Sequence, residues 1–245
     1  MKTETPNANG HTNGHTNGHS NGHPTNGHAH PNAKALHSPT CSHPELETPM
    51  TGLEQELSAE EKMQVIEQHF GEIMQVMGLD LNDDSLQGTP SRVAKMFVKE
   101  IFSGLQPDNA PRITLFDNKY GYHEMLVEKD IEVRSMCEHH FMPIVGRAHV
   151  AYIPREKVVG LSKLNRVVEY FARRPQVQER MNQQVAYFLR EKLQTPDVAV
   201  IIDSDHYCVK MRGVEDSCSS TLTATYLGAF QDPARKQELL SYIRG

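Results

Sequence analysis

Cys137-Glu138-His139-His140 sets a thiol and an imidazole three residues apart, with a second imidazole between them. A Cys-x-x-His pair can grip one metal ion from a single turn of chain. Cys208 offers a second thiolate from a distant segment. Two thiolates and an imidazole suit Zn2+ in softness and geometry. Three protein ligands leave a fourth position for water, which marks a catalytic site rather than a structural one. A water held there titrates near neutrality, at a pKa of about 7. His206 stands two residues before Cys208, and on a strand both side chains would point to one face. His139 and His206 are the two candidates for moving protons beside the metal. Taken alone, a Cys-x-x-His pair also arises by chance, and Cys208 could be a buried core thiol. Cys218 lies in a Ser-rich turn and is a weaker candidate.

A second set of residues suits an anion. In Gly160-Leu-Ser162-Lys163-Leu-Asn-Arg166 a helix start lies beside two cations. Free backbone N–H groups and the helix dipole favour phosphate at such a place. Lys163 and Arg166 are three apart and share a helix face, as do Arg92 and Lys95. Lys210 and Arg212 follow Cys208. Any one of these pairs is by default a solvated charged face; several of them near the metal segments of an acidic chain are more suggestive. Gln178 and Glu179 open the helix after Pro175, and Glu179 falls off the apolar face of Val177 and Met181. Its carboxylate could accept two hydrogen bonds from a base such as guanine, which presents adjacent N–H donors.

The elements that must position these residues can be read from period and punctuation. Ser58-Ala-Glu-Glu61 has the form of a capping box. Met63, Ile66, Phe70, Ile73, Met74 and Met77 then recur at helical spacing, and Gly78 marks the stop. Thr89-Pro90 opens a second helix, with Val93, Met96, Phe97 and Ile101 on one face and Gly104 closing it. Residues 107–123 are turn-rich and show no period. Met125–Met136 alternates and reads as a strand, as does Ile144–Ile153. Ser162 is expected to cap a helix that ends at Pro175. A further helix carries Val177, Met181, Val185, Phe188 and Leu189. Strands follow at Asp197–Tyr207 and Ser220–Leu227, then a short helix at Gln237–Ile243. Two helices, two strands, two helices and two strands make an α+β fold rather than an alternating βαβ one. Such a sheet leaves exposed edges, so association with further copies is expected.

The first fifty residues are of another kind. They hold eight of the fourteen histidines and repeat Asn-Gly-His five times between residues 9 and 28. With almost no large apolar side chains, this stretch cannot offset its ordering entropy by burial. Residues 1–54 are therefore expected to form a disordered low-complexity tail, Cys41 included. Residues 55–245 are expected to be the catalytic domain, and its roughly 190 residues can bury a real core. A net charge of −6 argues against a phosphate-tracking nucleic-acid binder. No apolar run approaches the ~18–20 residues needed to span a bilayer, and the N-terminus lacks a secretory pattern. A reducing, cytoplasmic setting is expected, where cysteines serve as buried thiols, ligands or nucleophiles rather than staples.

Several long segments in order carry a resemblance. They are Thr89-Pro-x-Arg92-Val-Ala-Lys95, Cys137-Glu-His-His140-Phe, Gly160-Leu-Ser-Lys163-Leu-Asn-Arg166, Arg174-Pro-Gln-Val-Gln-Glu179-Arg and His206-Tyr-Cys208-Val-Lys-Met-Arg212-Gly. Over about residues 58–243 the chain resembles the GTP cyclohydrolase I family, and the His-rich tail lies outside the match. The resemblance implies a tunnelling fold, an antiparallel four-stranded sheet with two helices on one face in β2α2β2 order, preceded by N-terminal helices. It implies that the sheets join into a barrel in a homodecamer, with active sites between subunits. The implied reaction converts GTP and water to formate and 7,8-dihydroneopterin triphosphate, the first step of tetrahydrofolate or pteridine biosynthesis. Zinc would fall on Cys137, His140 and Cys208, and the water it activates would attack C8 of the guanine. His139 and His206 would shuttle protons. Glu179 would anchor the guanine edge with Gln178 beside it, and Ser162 would contact the sugar and phosphate region. Lys163, Arg166 and Arg212 would hold the triphosphate, joined by Arg92 and Lys95 from a neighbouring subunit.

Two other readings compete. A related pterin or deazapurine enzyme of the same fold would share the Glu anchor, but would need neither this ligand set nor so many cations. A non-catalytic zinc module would predict a closed four-ligand site indifferent to His139 and His206.

Overall fold

A computed structural model describes residues 43–52 and 57–244. The expected tail lies outside the described residues up to Ser42. Near its end, His43 and Leu46 lie against a later helix: the His43 ring is 4.2 Å from that of Tyr187, Arg190 reaches His43 Nε2 at 3.3 Å, and Gln184 donates to Leu46 O.

The first described helix, α1 (Ala59–Val76), begins at the expected capping box. Ser58 N donates to Glu61 Oε2 at 2.7 Å, and Glu61 N donates to Ser58 Oγ at 3.2 Å. The second, α2 (Thr89–Lys95), runs on as a wider π-helical stretch, Met96–Ile101. Gly104 does not cap it directly but sits one short turn later. There its missing side chain matters. A Cβ would fall 2.1 Å from Tyr170 O, so only glycine lets this backbone donate to Arg173 O at 2.9 Å. The helical pair is thereby docked on the main domain.

Strand β1 (Leu115–Asp117) pairs antiparallel with β4 (Lys157–Val159), in the stretch that shows no period in sequence. Three-residue strands are too short to print one. The main sheet contains β2 (Leu126–Cys137), β3 (Pro143–Tyr152), β6 (Val198–His206) and β7 (Thr221–Tyr226), paired antiparallel in that order. A two-residue strand, β5 (Pro175–Gln176), runs parallel to the end of β2. Pro175 thus does more than end a helix: it starts an edge strand, where proline is tolerated.

Helices α3 (Leu161–Ala172) and α4 (Gln178–Leu193) cover one face of the sheet. Val133, Ala148, Val150, Ile202, Val168, Phe171, Met181 and Phe188 meet there. Ser162 is not the cap of α3; Gly160 is, and Ser162 lies exposed in the first turn. Chain-terminal α6 (Pro233–Arg244) starts four residues earlier than expected and packs Leu239 with Phe230, Ala199 and Ile201 on the opposite face. No helix among the described residues is long and apolar enough to cross a membrane.

Helix α3 runs in the same direction as β2, because it starts after the Tyr152 end of β3 and its exit reaches Met136 through Pro175. The end of the sheet holding Cys137 and His206 is therefore the exit of α3 and the entry of α4.

Candidate functional site

At that end β2 stops at Cys137 and a tight turn leads to β3. Phe141 N donates to Cys137 O, and Cys137 N donates to Met142 O, both at 2.8 Å. Phe141 adopts φ +49°, in the left-handed region that lets the turn close. Its ring packs 5.3 Å from Phe102, so the leading helices hold the turn from outside. From inside, Glu138 N donates to Gln176 O of β5 at 3.0 Å.

Cys208 reaches the same place by a route other than the expected one. β6 ends at His206, and Tyr207–Lys210 form a single helical turn, α5. The expectation that His206 and Cys208 alternate along one strand face is therefore wrong. The turn, rather than the pleat, carries Cys208 round to Cys137. The ligand atoms of Cys137, His140 and Cys208 all lie within 4.8 Å of one another. Tetrahedral zinc with bonds of about 2.0–2.3 Å sets its ligands roughly 3.5–3.8 Å apart, so a small closure suffices. No other group of His, Cys, Asp and Glu donors converges in this way among the described residues. Burial raises the Cys208 thiol above its ordinary pKa, and the neighbouring Cys137 adds to the shift. A divalent cation placed between the two sulfurs would favour their thiolate forms.

His139 lies exposed beside the triad, with Nδ1 3.8 Å from Cys137 Sγ. His206 is half-buried, and its Nε2 lies 2.7 Å from Gln178 Oε1. Burial lowers the His206 pKa, and the carboxylates of Glu179 and Asp205 partly oppose the shift. Glu179 is exposed on the first turn of α4, while Gln178 is buried with its amide engaged inside the chain. Arg212 is exposed just beyond α5, and its charge acts on Cys208.

The remaining cations lie elsewhere. Lys163 and Arg166 line a groove of about 510 Å3 with Arg112 and Arg173. Ser162 and Lys163 stand at the start of α3, about 15 Å along the helix from the end that holds Cys137. Arg92 donates to Thr89 Oγ1 and Ser85 O on the leading helices, and Lys95 is exposed on α2. One chain thus gathers Cys137, His140, Cys208, His139, His206, Gln178 and Glu179. It leaves Ser162, Lys163, Arg166, Arg92 and Lys95 apart from them.

One pair went unseen in the sequence. Arg180 forms an ion pair with Glu138 across 42 residues, and also donates to Gln176 Oε1 at 3.2 Å and Pro175 O at 3.1 Å. Both residues sit inside recognisable motifs, but nothing in their spacing signals the contact.

Residues 66–244 match the family model described as GTP cyclohydrolase I. Among curated proteins, the GTP cyclohydrolase 1 of Flavobacterium johnsoniae is 55% identical over 189 residues, covering 77% of this chain and 85% of that one. That of Shewanella sp. strain W3-18-1 is 55% identical over 196 residues, covering 80% and 91%. That of Aliivibrio salmonicida is 54% identical over 200 residues, covering 81% and 91%.

Proposed function

The chain belongs to the GTP cyclohydrolase I family, and from that premise we propose how its own residues carry the reaction. It is an enzyme of that type, with GTP as substrate. The products assigned are formate and 7,8-dihydroneopterin triphosphate, from GTP and water. The convergence of Cys137, His140 and Cys208 beside two histidines carries this reading. Zinc bound by that triad would supply a water activated at neutral pH.

His139 and His206 hold and return the protons that ring opening and formate loss require. An imidazole can both accept and donate a proton, so one ring can act as base and the other as acid. Burial keeps His206 the less readily protonated form, which suits a base. Glu179 remains free to accept paired N–H bonds from the guanine edge.

Ser162, Lys163, Arg166, Arg212, Arg92 and Lys95 take the sugar and triphosphate. The distance of Ser162, Lys163 and Arg166 from the triad along α3 supports a composite site, in which one subunit's metal end meets a neighbour's anion end. A closed ring of sheets, as in a decamer of the family's type, would bring them together and cover the free edges of β2 and β7. The cytoplasm is the setting in which the thiol ligands stay reduced.

The test is an assay of the purified protein with GTP, with and without zinc removal. Formate and the fluorescence of the oxidised pterin are followed together. Both should appear with zinc and both vanish without it. Formate without pterin would place the fault in ring reclosure, and neither product from zinc-loaded, assembled protein would overturn the assignment.

A further inference from the structure

The amide of Gln178 spans the end of the sheet. Its Nε2 lies 3.0 Å from Ile202 O, 2.8 Å from Thr221 O and 3.1 Å from Thr223 Oγ1. Its Oε1 lies 2.7 Å from His206 Nε2. The residue is 1% exposed, so solvent cannot stand in for any of these partners. Rotating the amide by half a turn would set its oxygen against two backbone carbonyls and leave buried acceptors facing one another with no donor between them. The strand backbones therefore decide which way the amide points. With an acceptor aimed at it, His206 Nε2 must carry hydrogen.

We propose that Gln178 is a positioning residue, which holds the His206 ring in one orientation and fixes its neutral form as the Nε2–H tautomer. Nε2 is thereby occupied by Gln178, and the ring is held in place from the buried side. The inference rests on His206 being a proton carrier, and it removes Gln178 from the residues that touch guanine. That contact falls to Glu179 alone, the exposed neighbour on the same turn. Asn182, one turn along α4, donates to Thr223 O at 3.1 Å and steadies the strand that holds the amide.

The experiment uses the zinc-loaded, assembled enzyme. Gln178→Met keeps the side chain's length and removes both ends of the amide. We expect kcat to fall by about 100-fold, with KM for GTP held within about 2-fold. Solid-state NMR of sedimented enzyme carrying 15N-histidine reads the tautomer directly, with His206 assigned by subtracting the His206→Ala spectrum. The parent should show Nε2–H with a bare Nδ1, and Gln178→Met should show both tautomers. A raised KM with unchanged kcat would return Gln178 to the substrate and overturn the proposal, as would an Nδ1–H tautomer in the parent. If Gln178→Met does not assemble, the spectrum of the parent decides alone, with Nε2–H supporting the proposal and Nδ1–H overturning it. Full turnover in His206→Ala would instead remove the proton-carrier reading, while leaving the tautomer measurement to judge Gln178 separately.

Discussion

Arg180, on the first turn of α4, grips the carboxylate of Glu138 in the turn that carries Cys137 and His140. The same guanidinium holds Gln176 and Pro175, so it ties the Cys137 turn, β5 and α4 into one unit. Arg180→Met would strip a charge-assisted partner from a carboxylate that is 25% exposed. A loss of about 2 kcal/mol is expected, read as a lower denaturation midpoint. Zinc affinity should fall about 10-fold or more, because the turn would no longer be held. Metal titration of the variant checks this, and unchanged affinity would make the pair purely structural.

The metal triad and the proton carriers should separate cleanly. Cys208→Ser is expected to lose zinc and turnover together, measured as metal stoichiometry alongside activity. His139→Ala should keep stoichiometric zinc and lose about 10²–10⁴ in kcat. A fully active His139→Ala enzyme would remove that residue from proton transfer, and a zinc-replete Cys208→Ser enzyme would remove Cys208 from the ligands.

How far these residues could be placed from sequence depended on the distance over which they act. Cys137 and His140 were legible because one turn contains them both. Cys208 was legible as a candidate to join them, but its surroundings were not. Tyr207-Cys-Val-Lys210 has no side-chain cap and too few residues to print a helical period, whereas the chain coils there into α5. The four long strands and α3 and α4 were legible because burial on one face prints a period in the sequence. β1 and β4 print none at three residues each. The Glu138–Arg180 pair and the three anchors of Gln178 are tertiary contacts between segments 24 to 45 residues apart, and no local pattern encodes them.

His149 is expected to set a pH dependence away from the Cys137, His140 and Cys208 cluster. Burial lowers its pKa below the ordinary histidine value, with Lys129 and Arg147 adding to the effect and Asp130 and Asp203 opposing it. Its Nδ1 accepts the backbone N–H of Asp130 at 3.2 Å, which requires that nitrogen to be bare. The unfolded chain therefore binds the proton more readily than the folded one. The stabilisation is present above the unfolded pKa of about 6.5 and is lost as pH falls through the depressed folded value. The melting temperature should drop between pH 7 and pH 5 in the parent. The drop should be smaller in His149→Gln, and an equal drop in both would move the origin to another group.

Glu179→Ala tests recognition of the base. Glu179 stands exposed at the entry of α4, so its loss leaves no buried partner stranded. Folding and zinc content should be unchanged. Charge-assisted hydrogen bonds of this kind contribute about 1.5–3 kcal/mol, which corresponds to a rise of about 10–100-fold in KM for GTP. An unchanged KM would place the guanine elsewhere.

The separation of the two charged ends within one chain gives the proposed composite site its sharpest test. Lys163 stands at the entry of α3 and His139 beside its exit, about 15 Å apart along the helix. If one site takes its proton carrier from one subunit and its phosphate cation from a neighbour, two inactive variants can rescue each other. His139→Ala and Lys163→Ala are each expected to be nearly inactive alone. Dissociated, mixed in equal amounts and reassembled, they should form about one quarter of sites with both residues intact. Each such site would join the Lys163→Ala chain's metal end to the His139→Ala chain's anion end. Activity should therefore recover to roughly a quarter of the parent's, provided subunits exchange at random. If both residues served the same site from the same chain, no mixture could contain an intact site. Recovered turnover after mixing would support the composite site, and its absence in a verified mixed assembly would rule it out.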